Sequence, residues 1–315
     1  MDRNLALELV RVTEAAALAS ARFMGKGDPL AADRAAASAM ELAIRGVRIN
    51  ANIVIDDESC AEGSALCKGR VVGGGGEMEL DLALDPLESK ASLADGGSNA
   101  ISAITVGEHG SFHRHKYPYM EKIAVGADAA DSIDLDLPVF ENLVRIAEAK
   151  RVYVEDLTVS ILNRERHRGL IAEVRKAGAR IELCRDGDLA AAISAALPGT
   201  GIDVAMGIGD SKQGILAAAA LACLRGGFQA RFMAGESADA ETDDPELAKI
   251  FNIGDLTGSG NIMFAVTGVS HSDFLEGVLF RPGGAITHSL VLRAKSGTIR
   301  FLRTEHFFDM EPDYK

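Results

Sequence analysis

The stretch Asp81-Leu82-Ala83-Leu84-Asp85-Pro86-Leu87-Glu88-Ser89-Lys90 decides how this 315-residue chain is read. Leu82 and Leu84 alternate with smaller or polar neighbours, the period-two pattern of a strand. Pro86 closes that pattern, because proline cannot donate to a ladder and biases its predecessor to an extended shape. Asp85 and Glu88 therefore leave one strand end together. Oxygen-only ligands at such a place suit a hard divalent cation, Mg²⁺ or Mn²⁺. An isolated D-P-x-E is also a common solvated acidic turn, so the choice rests on the rest of the chain.

Composition narrows the field. Hydrophobic residues make up 47%, with Gly 33 and Pro 8, as in a soluble globular α/β protein. The length suits one large or two closely packed domains. A formal charge of −13 argues against nucleic acid or an anionic membrane as partner. An anionic substrate is still accessible where a metal or an Arg cluster reverses the local field. Cys60, Cys67, Cys184 and Cys223 form no C-x-x-C pair and read as isolated reduced thiols of a cytoplasmic protein. No apolar run reaches the roughly 18 residues of a membrane span. The N-terminus reads directly as an amphipathic helix, not a signal peptide.

Working outward, Leu5, Leu9, Val12, Ala16, Ala19 and Phe23 recur at helical spacing up to Gly25. Asp28-Pro29 reads as a cap and first-turn proline opening a helix to Gly46, with Asp33 in its first turns. A strand over 51–55 runs into Asp56-Asp57-Glu58-Ser59. Gly73 to Gly76 read as a hairpin or loop rather than a phosphate cradle, since no helix start follows. Strands over 102–106 and 122–125 flank the basic loop from His113 to Tyr119, where His113 and His115 lack a third partner for a metal.

A helix over 138–150 precedes an alternation: strand 158–162, helix from Arg168, strand 180–184, helix from Asp188, strand 203–208, helix from Ser211. That predicts a parallel or mixed sheet with packed helices. Ligands in such sheets collect at strand carboxyl ends. Three loops lie there: Asn163 to Arg168 with three arginines suited to phosphate oxygens, Arg185 to Asp188, and Gly207 to Gln213. The acidic run 235–246 reads as a mobile surface loop without a catalytic role. Strands over 261–266, 288–294 and 298–302 complete the chain.

The D-P-L-E motif resembles the D-P-[IL]-[DE]-G-[TS] signature of the lithium-sensitive sugar-phosphate phosphatase superfamily. The likeness to the class II fructose-1,6-bisphosphatase family spans nearly the whole chain. It includes Arg11-Val12-Thr13-Glu14, Ala32-Asp33, Ile53-Val54-Ile55, Met120-Glu121-Lys122 and Asp134-Leu135-Asp136-Leu137-Pro138. Further along it takes in Asp186-Gly187-Asp188, Gly207-Ile208-Gly209, Thr267-Gly268 and Leu275-Glu276-Gly277.

The resemblance implies a layered α/β sugar-phosphatase fold, two mixed α/β lobes with the site between them. The lobes are expected at 1–150, binding metal, and 151–315, binding substrate. The implied activity is Mg²⁺- or Mn²⁺-dependent hydrolysis of a sugar bisphosphate. The implied metal ligands are Asp33, Asp57, Asp85 and Glu88, with Glu58 a second carboxylate beside Asp57. Glu88 and Lys90 occupy the catalytic positions. Tyr119, Arg164, Arg166, Asp186 and Asp188 would hold the phosphorylated sugar, and a homodimer would fit the family. The chain departs from the pattern at three points: Ser89-Lys90 replaces Gly-Thr, Gln213 replaces a glutamate ligand, and Asp210 replaces a glycine. These departures keep a second reading open, a catalytically impaired sugar-phosphate-binding or regulatory homologue, or a phosphatase retuned to another phosphoester.

Overall fold

The computed structural model describes residues 4–55, 65–114, 116–236, 244–258 and 260–308. In chain order the first elements are α1 (Leu5–Ala21), α2 (Pro29–Ile44), β1 (Asn50–Ile55), β2 (Val71–Val72), β3 (Glu79–Glu88), α3 (Lys90–Ala94) and β4 (Ile101–Glu108). Next come β5 (Tyr119–Val125), α4 (Val139–Lys150), β6 (Thr158–Leu162), α5 (Arg168–Ala177), β7 (Arg180–Cys184), α6 (Asp188–Ala196), β8 (Val204–Asp210) and α7 (Ser211–Leu224). The chain closes with β9 (Gly227–Met233), α8 (Pro245–Ala248), β10 (Phe251–Asn252), α9 (Ile253–Thr257), β11 (Met263–Gly268), β12 (Leu279–Arg281), β13 (Gly284–Arg293) and β14 (Thr298–Phe307). The mixed α/β class expected from the alternation is what the chain adopts.

Two compact units result, 1–112 with 259–315, and 113–258. This division differs from the expected boundary at residue 150. Strand pairing is the reason: β11 adds to β4 in the first unit, while β5 pairs with β8 and β9 in the second.

The first unit's sheet runs β12-β13-β11-β4-β3-β1-β2, with β14 on β13. Only β1 and β3 pair in parallel among its described strands. Helix α1 buries Leu9, Val12 and Ala16 in one core with Leu82, Leu84 and Ile104. A buried hydroxyl relay ties α1 to the sheet. Thr13 Oγ1 lies 2.7 Å from Thr267 Oγ1, which lies 2.8 Å from Ser289 Oγ. The Asp28 cap expected for α2 is present, its carboxylate accepting from the Ala31 amide at 2.9 Å.

β3 does not stop at Pro86 as the sequence suggested. It continues to Glu88 with a register shift between Asp85 and Glu88. Pro86 has no amide to pair, and the Leu87 amide donates to Asp85 Oδ1 at 3.0 Å, so the bulge leaves no orphan donor. Thr267-Gly268 and Leu275-Glu276-Gly277 turn out to be a packing motif. A Cβ on Gly268 would lie 2.4 Å from the Glu276 carbonyl oxygen.

The glycine run beyond β2 is pinned through its own amides. Gly74 donates to the Val47 carbonyl and Gly75 to that of Ile49. Cys67 is disulfide-bonded, against the expectation of reduced thiols, whereas Cys184 and Cys223 are free and buried. No helix among the described residues is long and apolar enough to cross a membrane.

The second unit's sheet runs β10-β9-β5-β8-β6-β7. β6 is parallel to both β7 and β8, so their carboxyl ends share one edge. β5 runs antiparallel to β8 with Tyr119 opposite Asp210, which brings Tyr119 to that edge. Ile123, Leu143, Val159 and Val174 form the unit's core with α4 and α5.

The relay predicts that Thr267→Val takes from Ser289 the hydroxyl it meets here and leaves Thr13 with the Val10 carbonyl. Urea unfolding of this variant should show a loss of about 1–3 kcal/mol without a change in slope.

Candidate active site

The implied metal residues that the structure describes belong to the first unit. Asp85 and Glu88 lie at the β3 bulge and Asp33 on the buried face of α2, with only 4%, 5% and 2% exposure. Asp57 and Glu58 lie outside the described residues. Buried carboxylates stay ionised only against cations or donors. One cation comes from the chain itself: the Lys90 ammonium lies 3.3 Å from Asp33 Oδ2. Lys90 opens α3 directly after Ser89, whose φ of 64° is left-handed. The family pattern carries glycine there, which takes this conformation without steric cost. The turn is thus kept while the next side chain has become a cation.

Among the described residues, no three His, Cys, Asp or Glu side chains form a group that can hold a metal ion. The oxygen-only donors Asp85 and Glu88 fit a hard cation, but the described set does not close a shell alone. Asp33 already faces an ammonium.

The implied substrate residues belong to the second unit and gather at the carboxyl edge of β6, β7 and β8. Arg164 donates through Nη2 to Asp186 Oδ1 at 2.6 Å. Arg166 donates through Nε to the Ile208 carbonyl at 3.1 Å and through Nη1 to Glu236 Oε2 at 3.0 Å. Tyr119 donates its hydroxyl to Glu236 Oε1 at 2.7 Å. Asp188, the first residue of α6, accepts from Lys122, which also donates to the Asp210 carbonyl at 3.2 Å. Arg168, the third arginine of the loop, makes only an exposed pair with Glu165.

Gly209 is required beside this pair. A Cβ there would lie 2.0 Å from Asp188 Oδ2. Asp210 caps α7 by accepting from the Lys212 amide at 2.7 Å, and burial pushes its carboxyl above the usual carboxylate range. Gln213 follows in the first turn of α7.

Three further residues matter that the sequence reading left unassigned. Lys122 is buried, and its signal was its phase: Met120, Lys122 and Ala124 share one face of β5. His167 Nδ1 lies 2.7 Å from the Leu162 carbonyl oxygen, and its Nε2 accepts from the Ile208 amide at 2.8 Å. That arrangement fixes a neutral ring with the proton on Nδ1. Burial, first of all, holds its pKa below the ordinary histidine value. His167 and Arg166 together clamp both backbone polar groups of Ile208.

Glu236 is the third; it belongs to the acidic run, of which 237–243 lie outside the described residues. The described ends of the run are tethered: Glu236 to Tyr119 and Arg166, Asp244 to Lys116 at 2.6 Å and to Tyr117 at 2.5 Å, Glu246 to His113 at 2.9 Å. The hydrogen bond from Tyr119 lowers the Glu236 carboxyl, and the same bond raises the Tyr119 phenol. The other half of the histidine pair, His115, lies outside the described residues.

A cavity within this unit opens beside Lys122 and Asp188, walled by Ser160, Leu162, His167 and Cys184. The edge therefore offers an anion-gripping guanidinium and phenol, two carboxylates held by cations, and an adjoining hollow.

The family model for bacterial fructose-1,6-bisphosphatase, glpX-encoded, matches residues 3–306. The chain is 36% identical over 325 aligned residues to fructose-1,6-bisphosphatase 1 class 2 of Escherichia coli strain K12, covering 98% of this chain and 97% of that protein. The class 2 fructose-1,6-bisphosphatase of Shigella flexneri matches at the same identity and coverage.

Two measurements check the local physics. Ser89→Gly is expected to stabilise the protein by about 1 kcal/mol in urea unfolding, since it removes a left-handed non-glycine residue. His167 has a lowered folded pKa, so its contribution is present above its unfolded value of about 6.5 and is lost as pH falls toward the folded value. Stability should therefore decline with acidification below about pH 6.5, and less steeply in His167→Gln.

Proposed function

The chain belongs to the family of bacterial class II fructose-1,6-bisphosphatases, and on that premise we propose that it hydrolyses a phosphomonoester of a sugar bisphosphate, fructose 1,6-bisphosphate first. The observation that carries this reading is the anion already seated between Arg166 and Tyr119. A guanidinium and a phenol that grip a carboxylate edge-on present the same donors to phosphate oxygens. Beside them, Asp186 and Asp188 are carboxylates positioned by Arg164 and Lys122, suited to accept hydrogen bonds from sugar hydroxyls.

A divalent ion, Mg²⁺ or Mn²⁺, would be held by Asp85 and Glu88, with Asp57 as a further ligand. Bound there, the metal supplies Lewis-acid polarisation of the phosphoryl group and lowers the pKa of the attacking water. Lys90 takes the part of one further ion, at Asp33. At about 4 Å and an effective dielectric near 20 a unit-charge pair is worth about 4 kcal/mol before desolvation, enough to make occupancy by lysine and by a metal competitive. Gln213 removes a negative charge at a position where the family has a ligand, which works in the same direction. We further infer a cytoplasmic location and, from the family resemblance, a homodimer.

A second reading, a sugar-phosphate-binding homologue with little turnover, is favoured by the Lys90–Asp33 pair itself. A phosphate-release screen over sugar mono- and bisphosphates with Mg²⁺ or Mn²⁺ separates the two. Release from fructose 1,6-bisphosphate that a chelator abolishes is the expected result. Sugar phosphates that raise the melting temperature without being hydrolysed would instead establish the second reading.

Arg166→Ala should raise KM roughly 10-fold or more, the worth of a charge-assisted hydrogen bond. The Lys90→Thr, Gln213→Glu double variant should bind one more divalent ion per chain in calorimetry and turn over at least about 10²-fold faster. Equal metal stoichiometry in the two proteins refutes the fixed-cation role of Lys90.

A further inference from the structure

We propose that Glu236 is a specificity-determining residue: an internal carboxylate that occupies the phosphate grip and yields it only to a dianionic phosphate. The inference rests on the reading of Arg166 and Tyr119 as that grip. Both carboxylate oxygens of Glu236 are engaged, Oε1 by the Tyr119 hydroxyl at 2.7 Å and Oε2 by Arg166 Nη1 at 3.0 Å. Two donors meeting two oxygens of one anion is the arrangement a phosphate edge requires.

The donors are fixed independently of Glu236. The Arg166 side chain is only 15% exposed, and its Nε is anchored on the Ile208 carbonyl, which His167 in turn positions through the Ile208 amide. Tyr119 begins β5 and is held between β8 and β9 by the ladders on either side. The carboxylate is the exchangeable member. The Glu236 side chain is 58% exposed and lies three residues past the end of β9 at Met233. A Cβ on the preceding residue, Gly235, would meet nothing within 4 Å, so the backbone leading to Glu236 is uncrowded. The other anions of this edge differ in this respect. Asp186, on the β7–α6 connection, and Asp188, the first residue of α6, are mostly shielded.

Charge then sets the selection. A phosphomonoester carries about −1.5 to −2 near neutral pH against −1 for a carboxylate. Monoanions meet an equally charged competitor that is already tethered, so they are excluded. A dianion gains more from the guanidinium than Glu236 does, so it enters and the carboxylate swings to solvent, where its desolvation cost is small.

The experiment is a calorimetric titration with inorganic phosphate at about pH 8, where the dianion dominates. Wild type, Glu236→Gln, Glu236→Ala and Arg166→Ala are compared, with acetate as the monoanionic probe. Glu236→Gln and Glu236→Ala should bind phosphate about fivefold more tightly than wild type, the upper range for an exposed charge pair. They should also register acetate where wild type does not. Phosphate affinity unchanged or weakened in both Glu236 variants, with binding lost in Arg166→Ala, overturns the competitor role and leaves the grip standing. Phosphate binding in Arg166→Ala equal to wild type, or no phosphate binding in any of the four proteins, overturns the grip reading and this inference with it.

Discussion

Three carboxylates buried to within a few percent, Asp33, Asp85 and Glu88, set the terms for the first unit. An ionised carboxylate out of water is costly by several kcal/mol unless a cation or a set of donors faces it. Asp85 and Asp33 show how the fold meets this cost. The β3 bulge turns the Leu87 amide onto Asp85, and the left-handed Ser89 aims the chain so that Lys90 reaches Asp33. A bulge and a strained turn in successive residues are features a strand end does not need for packing alone. They make sense as the means of concentrating charge on a small patch.

The second unit faces the opposite constraint. Its strand edge gathers Lys122, Arg164 and Arg166, and each has a carboxylate partner: Asp188, Asp186 and Glu236. The pairs are not equivalent. Lys122 is buried and donates also to the backbone of Asp210, so removing either partner strands a buried charge. The Arg166–Glu236 pair sits at the exposed end of this gradient and breaks at little cost. Burial thus sorts three similar ion pairs into two that position side chains and one that can be traded for an incoming anion.

Much of this was legible in the sequence because period and punctuation agreed. Strands β6 and β7 and the starts of α5, α6 and α7 fall where alternation, caps and glycines put them. β9 was missed because Gln229 and Arg231 interrupt its apolar phase; those side chains bond to Leu135 and Asp136 rather than entering the core. Pro86 misled for a physical reason, since a bulge removes the demand for the amide that proline lacks. The unit boundary was hidden because β11 joins β4 across about 150 intervening residues, and no local signal encodes that pairing. The grip was half legible. Arg166 and Tyr119 announced themselves through residue type and resemblance, whereas Glu236 read as one acid among many in a polar run. Only a tertiary contact distinguishes it from its neighbours.

Lys90 is where sequence resemblance and chemistry part most sharply. A threonine hydroxyl can pass a proton and orient water, and a divalent ion can bind two oxygens and acidify a third. An ammonium can donate to water, but it can neither accept a proton from it nor coordinate it. It carries one fixed charge and three donors, which suits holding phosphoryl oxygens and neutralising Asp33. It cannot coordinate a water and lower its pKa as a metal does. Electrostatic stabilisation of the anion can therefore survive the substitution, while activation of the nucleophile must come from elsewhere in the site. The β3 bulge holds Asp85 and Glu88 together at one strand end. On the proposed function, a metal held at the bulge would acidify water, and Lys90 in the turn that follows would balance charge.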